Sequence, residues 1–278
     1  MGEIFLFKNR KLLMFMLVAA LSVFVLAACG GDEKETSDKE TTGSKSALET
    51  IKANDKIVWG VKNDTKLFGL KNPGTGDIEG FDIDIAKEIT KIILGDESKL
   101  ELKEVTSKTR IPMLNNGEID AIIATMTITE DRRKEVDFSE VYFEAGQSLL
   151  VKKGSDIKGI EDLTDKSKVI AVKGSTSAIN IREHAPKAQV LEFENYAEAF
   201  TALKAGQGDA LTTDNSILFG MASEDNSFEL VGGNFTDEPY GIAMKKGSED
   251  FVKAVNDALA ELKANGKYDE IYSKWINY

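Results

Sequence analysis

Cysteine and histidine are almost missing from this chain. One cysteine, Cys29, and one histidine, His184, stand among 278 residues. A single cysteine cannot close an internal disulfide, and no cluster of His, Cys and carboxylate with metal-ligand spacing is present. The same scarcity removes Ser-His-Asp and Cys-His nucleophiles: His184 lies at a polar helix end, and Cys29 sits in the N-terminal segment. There is no Walker loop either. Basic charge is also short. The 35 Lys and Arg against 47 Asp and Glu give a net charge of −12, which argues against nucleic acid, whose phosphates need a basic surface. A long apolar run occurs once, before residue 29, and none follows it, which argues against a channel built from several spans. Carboxylates are plentiful in keeping with an acidic surface, so Asp82 and Asp84 read as helix-start groups rather than an acid/base pair.

The N-terminus has its own character. Lys8, Arg10 and Lys11 precede the apolar run, residues 12–28, which ends in Leu26-Ala27-Ala28-Cys29. A basic start, an apolar middle and small residues before a cut describe a secretory signal over residues 1–28. The run of 17 residues is at the short limit of a membrane span, so an uncleaved anchor is the alternative. Leu-Ala-Ala-Cys resembles the bacterial lipobox, which makes Cys29 a lipidation site and the first residue of the mature chain. Lipid chains on Cys29 would hold the protein at the extracytoplasmic face of the cell membrane. Residues 30–46 contain no apolar side chain, and 29–53 read as a lipidated cysteine and a disordered tether. Loss of residues 1–28 removes three cations and one anion, leaving a charge of −14. An anionic ligand must then be captured by local cations against the overall field, which singles out Lys62, Arg110 and Arg132.

The stretch 110–132, RIPMLNNGEIDAIIATMTITEDR, organises the remainder. Pro112 stands in the first turn of a helix, where its missing N–H costs little. Gly117 ends that helix, residues 119–125 form an apolar run of strand length, and Thr129 caps a second helix. Thr125 and Thr127 therefore fall at the carboxyl end of a strand and Arg132 in the helix after it, the place where open α/β sheets bind ligands. Two hydroxyls and a guanidinium suit a carboxylate. The device recurs: Leu114-x-x-Gly117-x-x-Asp120-Ala121 is matched by Leu203-x-x-Gly206-x-x-Asp209-Ala210, followed by Thr213 and Asp214. One copy offers a cation and the other an anion. A zwitterion held between two similar lobes satisfies both.

Strands and helices alternate elsewhere. Residues 56–61 read as a strand ending at Lys62, Phe81-Ile85-Ile89-Ile92 as an amphipathic helix, and residues 100–105 as a strand. Residues 169–172 lead directly into Lys173-Gly174-Ser175-Thr176 and a helix over 177–183, an arrangement that offers backbone N–H groups to an anion or is simply a capped helix. A strand over 240–244 and two helices over 251–262 and 268–275 close the chain. The architecture is α/β.

The motifs WGVKNDT (Trp59–Thr65), GFDID (Gly80–Asp84), ATMTITEDR (Ala124–Arg132), VDFS (Val136–Ser139), VKGST (Val172–Thr176), TDNSIL (Thr213–Leu218) and EPYGIA (Glu238–Ala243) follow one another through the mature chain. In that order they resemble the bacterial extracellular solute-binding proteins of family 3, which serve ABC transporters for polar amino acids. The resemblance implies a two-lobed, type II periplasmic-binding-protein fold with a ligand cleft and two hinge crossovers. Residues 54–143 and 239–278 would form one lobe and 144–238 the other. It implies a monomer without a cofactor that hands a free L-amino acid to a membrane permease. By the same resemblance Arg132 and Thr127 hold the α-carboxylate, Asp214 takes the α-ammonium, and Thr176 adds a donor. A few relatives of this family are dehydratases, so an enzyme on the same fold is the alternative from another class.

The side-chain pocket decides the substrate. Members that bind aspartate or glutamate carry cations at the positions of Lys62 and Arg110, and with Thr125 these would neutralise a side-chain carboxylate. The expectation is an acidic amino acid. The alternative is glutamine, which follows if Asp64 pairs with Lys62 or if Arg110 is already balanced within the protein.

Overall fold

The computed structural model describes residues 45–277. The expected signal peptide, Cys29 and the tether up to residue 44 lie outside the described residues. The chain begins with α1 (Ala47–Asn54), β1 (Ile57–Val61), a small antiparallel sheet of β2 (Asp64–Thr65), β3 (Gly69–Lys71) and β4 (Ile78–Glu79), and α2 (Phe81–Leu94). It continues with β5 (Leu100–Glu104), α3 (Arg110–Asn115), β6 (Ala121–Ile122), α4 (Glu130–Glu135) and β7 (Val136–Ala145). A middle section contains β8 (Gln147–Lys152), β9 (Lys168–Val172), α5 (Ser177–His184), β10 (Gln189–Phe193), α6 (Tyr196–Lys204), β11 (Ala210–Asp214), α7 (Asn215–Glu224) and β12 (Phe228–Val231). The chain then returns through β13 (Glu238–Lys245) to α8 (Glu249–Ala264) and α9 (Lys267–Trp275).

Two five-stranded sheets result, ordered β5-β1-β6-β13-β7 and β10-β9-β11-β8-β12. In the first, β1 is parallel to β5 and β6, and β13 runs antiparallel to β6 and β7. In the second, β9 is parallel to β10 and β11, and β8 is antiparallel to β11 and β12. Each sheet has its own apolar core. Trp59, Phe68, Phe81, Ile85, Ile89 and Leu259 are buried on the first, and Ile170, Phe200, Leu203, Leu211 and Leu218 on the second. The helical spacing of Phe81, Ile85 and Ile89 explains why α2 lies on its sheet, and each such side chain contributes about 2 kcal/mol of transfer free energy. Trp59 is fully buried, with its indole N–H donating to Thr90 Oγ1 at 2.9 Å.

The sequence repeat is a repeated hydrogen-bond pattern. Gly117 and Gly206 both take left-handed φ, +76° and +71°, which an L side chain would resist. Their N–H groups donate to Leu114 O and Leu203 O at 3.0 and 2.9 Å. Asp120 and Asp209 then bracket the start of the parallel neighbouring strand: each backbone N–H donates to a carbonyl, Val58 O or Lys168 O, at 2.8 Å. Their carboxylates accept the N–H of the same two residues, Val58 and Lys168, also at 2.8 Å. A one-residue slip would break both bonds, so the aspartate fixes strand register.

The chain crosses between the sheets twice, at Gly146 and through residues 232–237, and the two crossings run side by side. Ala145 pairs with Glu238, Gln147 N donates to Thr236 Oγ1 at 3.2 Å, and Phe235 N donates to Gln147 O at 2.9 Å. A Cβ on Gly146 would stand 2.6 Å from Thr236 O, so only glycine lets the strands lie so close.

Two local expectations are corrected. The strand expected over 119–125 pairs only at Ala121–Ile122, because Thr125 turns left-handed at φ +45° and its N–H leaves the ladder for the Asp82 side chain. Asp82 and Asp84 do stand in the first turn of α2, but Asp82 is fully buried rather than part of an acidic surface, while Asp84 meets Lys274 Nζ and Trp275 Nε1 at 2.7 Å.

Candidate functional site

The residues singled out by sequence gather where the carboxyl end of β1, the chain after β6, and the starts of α3 and α4 face the carboxyl ends of β9 and β11. From the first sheet come Lys62, Arg110, Thr125, Thr127 and Arg132. From the second come Thr176, just before α5, and Asp214, the last residue of β11.

They form one polar cluster. Arg132 Nη1 donates to Thr127 O at 2.7 Å, and its Nη2 reaches across to Gly174 O at 3.2 Å. The Thr127 and Thr176 hydroxyls stand 3.4 Å apart, also across the two sheets. Tyr240 OH, from β13, donates to Asp214 Oδ2 at 2.5 Å. Arg110 is buried, with Nη1 donating to Ala124 O at 2.7 Å and Thr125 O at 3.4 Å. Lys62, also buried, donates to Ser107 Oγ at 3.0 Å and lies 5.0 Å from the centre of the Tyr196 ring. Thr213 is committed elsewhere, its hydroxyl donating to Tyr196 OH at 3.1 Å.

Several groups now in the cluster were not foreseen. Asp82 Oδ2 accepts from Thr125 N at 3.0 Å and Oδ1 from Tyr142 OH at 2.9 Å. Glu238, at the second crossing, accepts from Thr176 Oγ1 at 2.8 Å and from Asn180 Nδ2 at 2.9 Å. Gln147, at the first crossing, donates to Thr176 Oγ1 at 3.0 Å. Thr176 is thus held from both crossings. The GFDID and EPYGIA motifs contain Asp82 and Glu238; Asp82 stands between the apolar Phe81 and Ile83, while Glu238 follows Thr236 and Asp237 and carries no local signal.

Burial perturbs the charges. Desolvation, followed by repulsion from Arg110, pulls the Lys62 ammonium down to about 7, with Asp64 and Asp82 opposing. Desolvation pushes Asp82 up to about 7 against the hydrogen bonds from Tyr142 and Thr125. Asp214 is also raised to about 7 by desolvation and by Glu238, with Tyr240, Arg132 and Arg110 opposing. Arg110 is lowered to about 9 by desolvation and by Arg132, and it stays charged at neutral pH. Three buried side-chain polar atoms lack a hydrogen-bond partner among the described residues: Ser216 Oγ and, in this cluster, Arg110 Nε and Thr125 Oγ1. A buried donor without a partner costs about 1–3 kcal/mol, so the two in the cluster mark where a polar ligand group would be stabilised. No group of three or more His, Cys, Asp or Glu among the described residues could hold a metal ion.

Asp64 does not pair with Lys62. Its Oδ2 accepts from Tyr196 N at 2.7 Å and Ala197 N at 3.3 Å, so a carboxylate from β2 of the small sheet meets the start of α6, which packs on the second five-stranded sheet.

The profile of the bacterial extracellular solute-binding proteins, family 3, matches residues 57–278. The ABC transporter glutamine-binding protein GlnH of Bacillus subtilis (strain 168) is 66% identical over 269 residues, covering 96% of this chain and 97% of that protein. A glutamine-binding protein of Geobacillus stearothermophilus is 60% identical over 247 residues, covering 87% and 94%. Among solved structures, an ancestral arginine-binding protein bound to glutamine superposes with a TM-score of 0.76 at 44% identity, covering 81% of this chain and 99% of that one.

Proposed function

The chain belongs to family 3 of the bacterial extracellular solute-binding proteins, and from that premise we propose that it captures free glutamine for an ABC importer. Its work is binding rather than catalysis, on the extracytoplasmic side of the membrane. Arg132 and Thr127 hold the α-carboxylate, Thr176 adds a donor, and Asp214 takes the α-ammonium. Contacts such as Arg132 to Gly174 exist only when the lobes meet. A ligand that bridges Arg132 and Asp214 therefore shifts the population toward closure, and the closed form is what the permease receives. Cys29, outside the described residues, serves as the lipid anchor, and the receptor works as a monomer.

The acidic amino acid expected from Lys62 and Arg110 gives way to its glutamine alternative. The observation that carries this is charge balance. The basic side chains are the partly buried Arg132 and the buried Lys62 and Arg110, and the acidic ones the buried Asp82, Asp214 and Glu238, three of each; Lys62, Asp82 and Asp214 all stand near 7, and the count balances with those three ionised together. A zwitterion with an uncharged side chain preserves that balance, whereas glutamate adds an unmatched negative charge, which is costly when desolvated. Arg110 Nη1 and Lys62 are already engaged, while Arg110 Nε and Thr125 Oγ1 suit an amide. The glutamine-binding relatives at 66% and 60% identity support the same reading.

Calorimetric titration with glutamine, glutamate and aspartate tests it. Glutamine should bind at least about tenfold more tightly than either acid, about 1.4 kcal/mol. Tighter binding of an acid would return the substrate to the acidic class and leave the receptor intact. Failure of every amino acid to bind would overturn the receptor itself.

A further inference from the structure

The turn at Ala124–Thr125 is gripped from two sides. On one side Asp82 Oδ2 accepts the Thr125 N–H at 3.0 Å, and on the other Arg110 Nη1 donates to the carbonyls of Ala124 and Thr125 at 2.7 and 3.4 Å. Between them Thr125 is held at φ +45°, a conformation that a β-branched residue rarely adopts, with its own Oγ1 unpartnered among the described residues. Asp82 does not present its carboxylate to the cleft, because both oxygens are taken by Thr125 N and Tyr142 OH. Its ionised form is nevertheless a charge in a dry setting on the same turn that Arg110 grips, where Coulomb interactions are screened far less than in water.

We infer that Asp82 sets the charge preference of the side-chain end of the site: without touching the ligand, its carboxylate offsets Lys62 and Arg110 and so tilts selection from an acidic toward an amide side chain. It is a positioning and specificity-determining residue. This rests on the reading above that the site binds free amino acids. Electrostatic coupling of Asp82 to both Arg110 and Lys62 agrees with it. The other charged and titratable groups facing this end of the site are Arg132, Tyr142, Tyr196, Asp64 and Asp214, of which Tyr142 is the one that bonds Asp82 directly.

The test is the ratio of glutamate to glutamine dissociation constants, measured by calorimetry on the purified protein and its variants. Asp82→Asn keeps the shape and removes the charge. It should move the ratio toward glutamate by roughly 10- to 100-fold, whatever it does to the two affinities together. Tyr142→Phe removes the hydrogen bond that favours the ionised Asp82, and should move the ratio in the same direction by less than Asp82→Asn does. If Asp82→Asn does not fold, Asp82→Ser answers the same question with a smaller side chain. Equal weakening of both ligands by either Asp82 variant makes its role structural and overturns the inference. A wild-type protein that binds neither ligand would overturn the receptor reading instead, and this inference with it.

Discussion

Gly174 offers the most direct test of lobe closure. It follows β9 with φ +75°, and a Cβ there would stand 2.7 Å from Lys108 Cα and 2.9 Å from both Lys108 N and Ser107 O. All three are backbone atoms of the opposite lobe, so no side chain can swing aside. Alanine at this position has two separable costs. Left-handed backbone costs about 1–2 kcal/mol whether the lobes are together or apart, so it lowers stability and leaves affinity alone. The clash exists only when the lobes meet. Relieving it needs a shift of about half an ångström at packed backbone, an overpacking cost of about 1–3 kcal/mol. It also opens the bond from Arg132 Nη2 to Gly174 O, 3.2 Å in the closed arrangement. Because the second cost falls on one state alone, it passes directly into binding, weakening glutamine about 5- to 150-fold. Calorimetry with glutamine, beside thermal unfolding of the ligand-free variant, separates the two. A folded Gly174→Ala protein with unchanged affinity would mean that the bound state does not bring Gly174 against Lys108.

Two further outcomes are expected. Asp209→Ala removes the carboxylate that accepts Lys168 N at 2.8 Å, and should destabilise by about 1–2 kcal/mol, lowering the melting temperature by about 2–8 °C with little effect on affinity. pH should move affinity and stability in opposite directions between about 4 and 7. Asp214 holds its proton up to about 7 in the folded protein against an ordinary value of 3.8, so the folded state binds more protons than the unfolded one across that interval. Its contribution to stability therefore rises as pH falls through it. An ammonium ligand needs the carboxylate ionised, so affinity should drop by up to tenfold per unit below about 7. Titration and chemical denaturation at pH 5 and 7 check both trends; Asp214→Asn should flatten the affinity trend and reduce the stability trend, the remainder coming from Asp82, which is also raised to about 7.

Much of the fold was legible because it is written in short range. The β1 and β9 strands, the α2 stripe and the α6 helix follow from apolar periodicity, and the repeated Leu-x-x-Gly-x-x-Asp-Ala string marked where each lobe turns. What that string could not disclose is its physical content, since the partners of Asp120 and Asp209 are 62 and 41 residues away. The ten-residue β7 was not read as a strand, because its burial does not alternate regularly and its pairing with β13 shifts register near Tyr240 and Gly241. The site was legible in its residue types and less so in its charge state. Lys62 and Arg110 look like a trap for a carboxylate when counted alone. Asp82 changes that account, and its burial depends on how α2 packs beneath the Thr125 turn, which no local pattern encodes.

The position of β13 has a consequence for how the protein is made. It lies between β6 and β7, yet it is translated after every strand of the second sheet. Until residue 245 has been synthesised, β7 has no neighbour in its sheet and β6, paired only at Ala121–Ile122, keeps an open edge. The first sheet therefore cannot be completed early on the ribosome, whereas all five strands of the second are contiguous in the chain. For a protein that works on the extracytoplasmic side, a lobe whose keystone strand arrives last is a built-in delay before the native structure can lock.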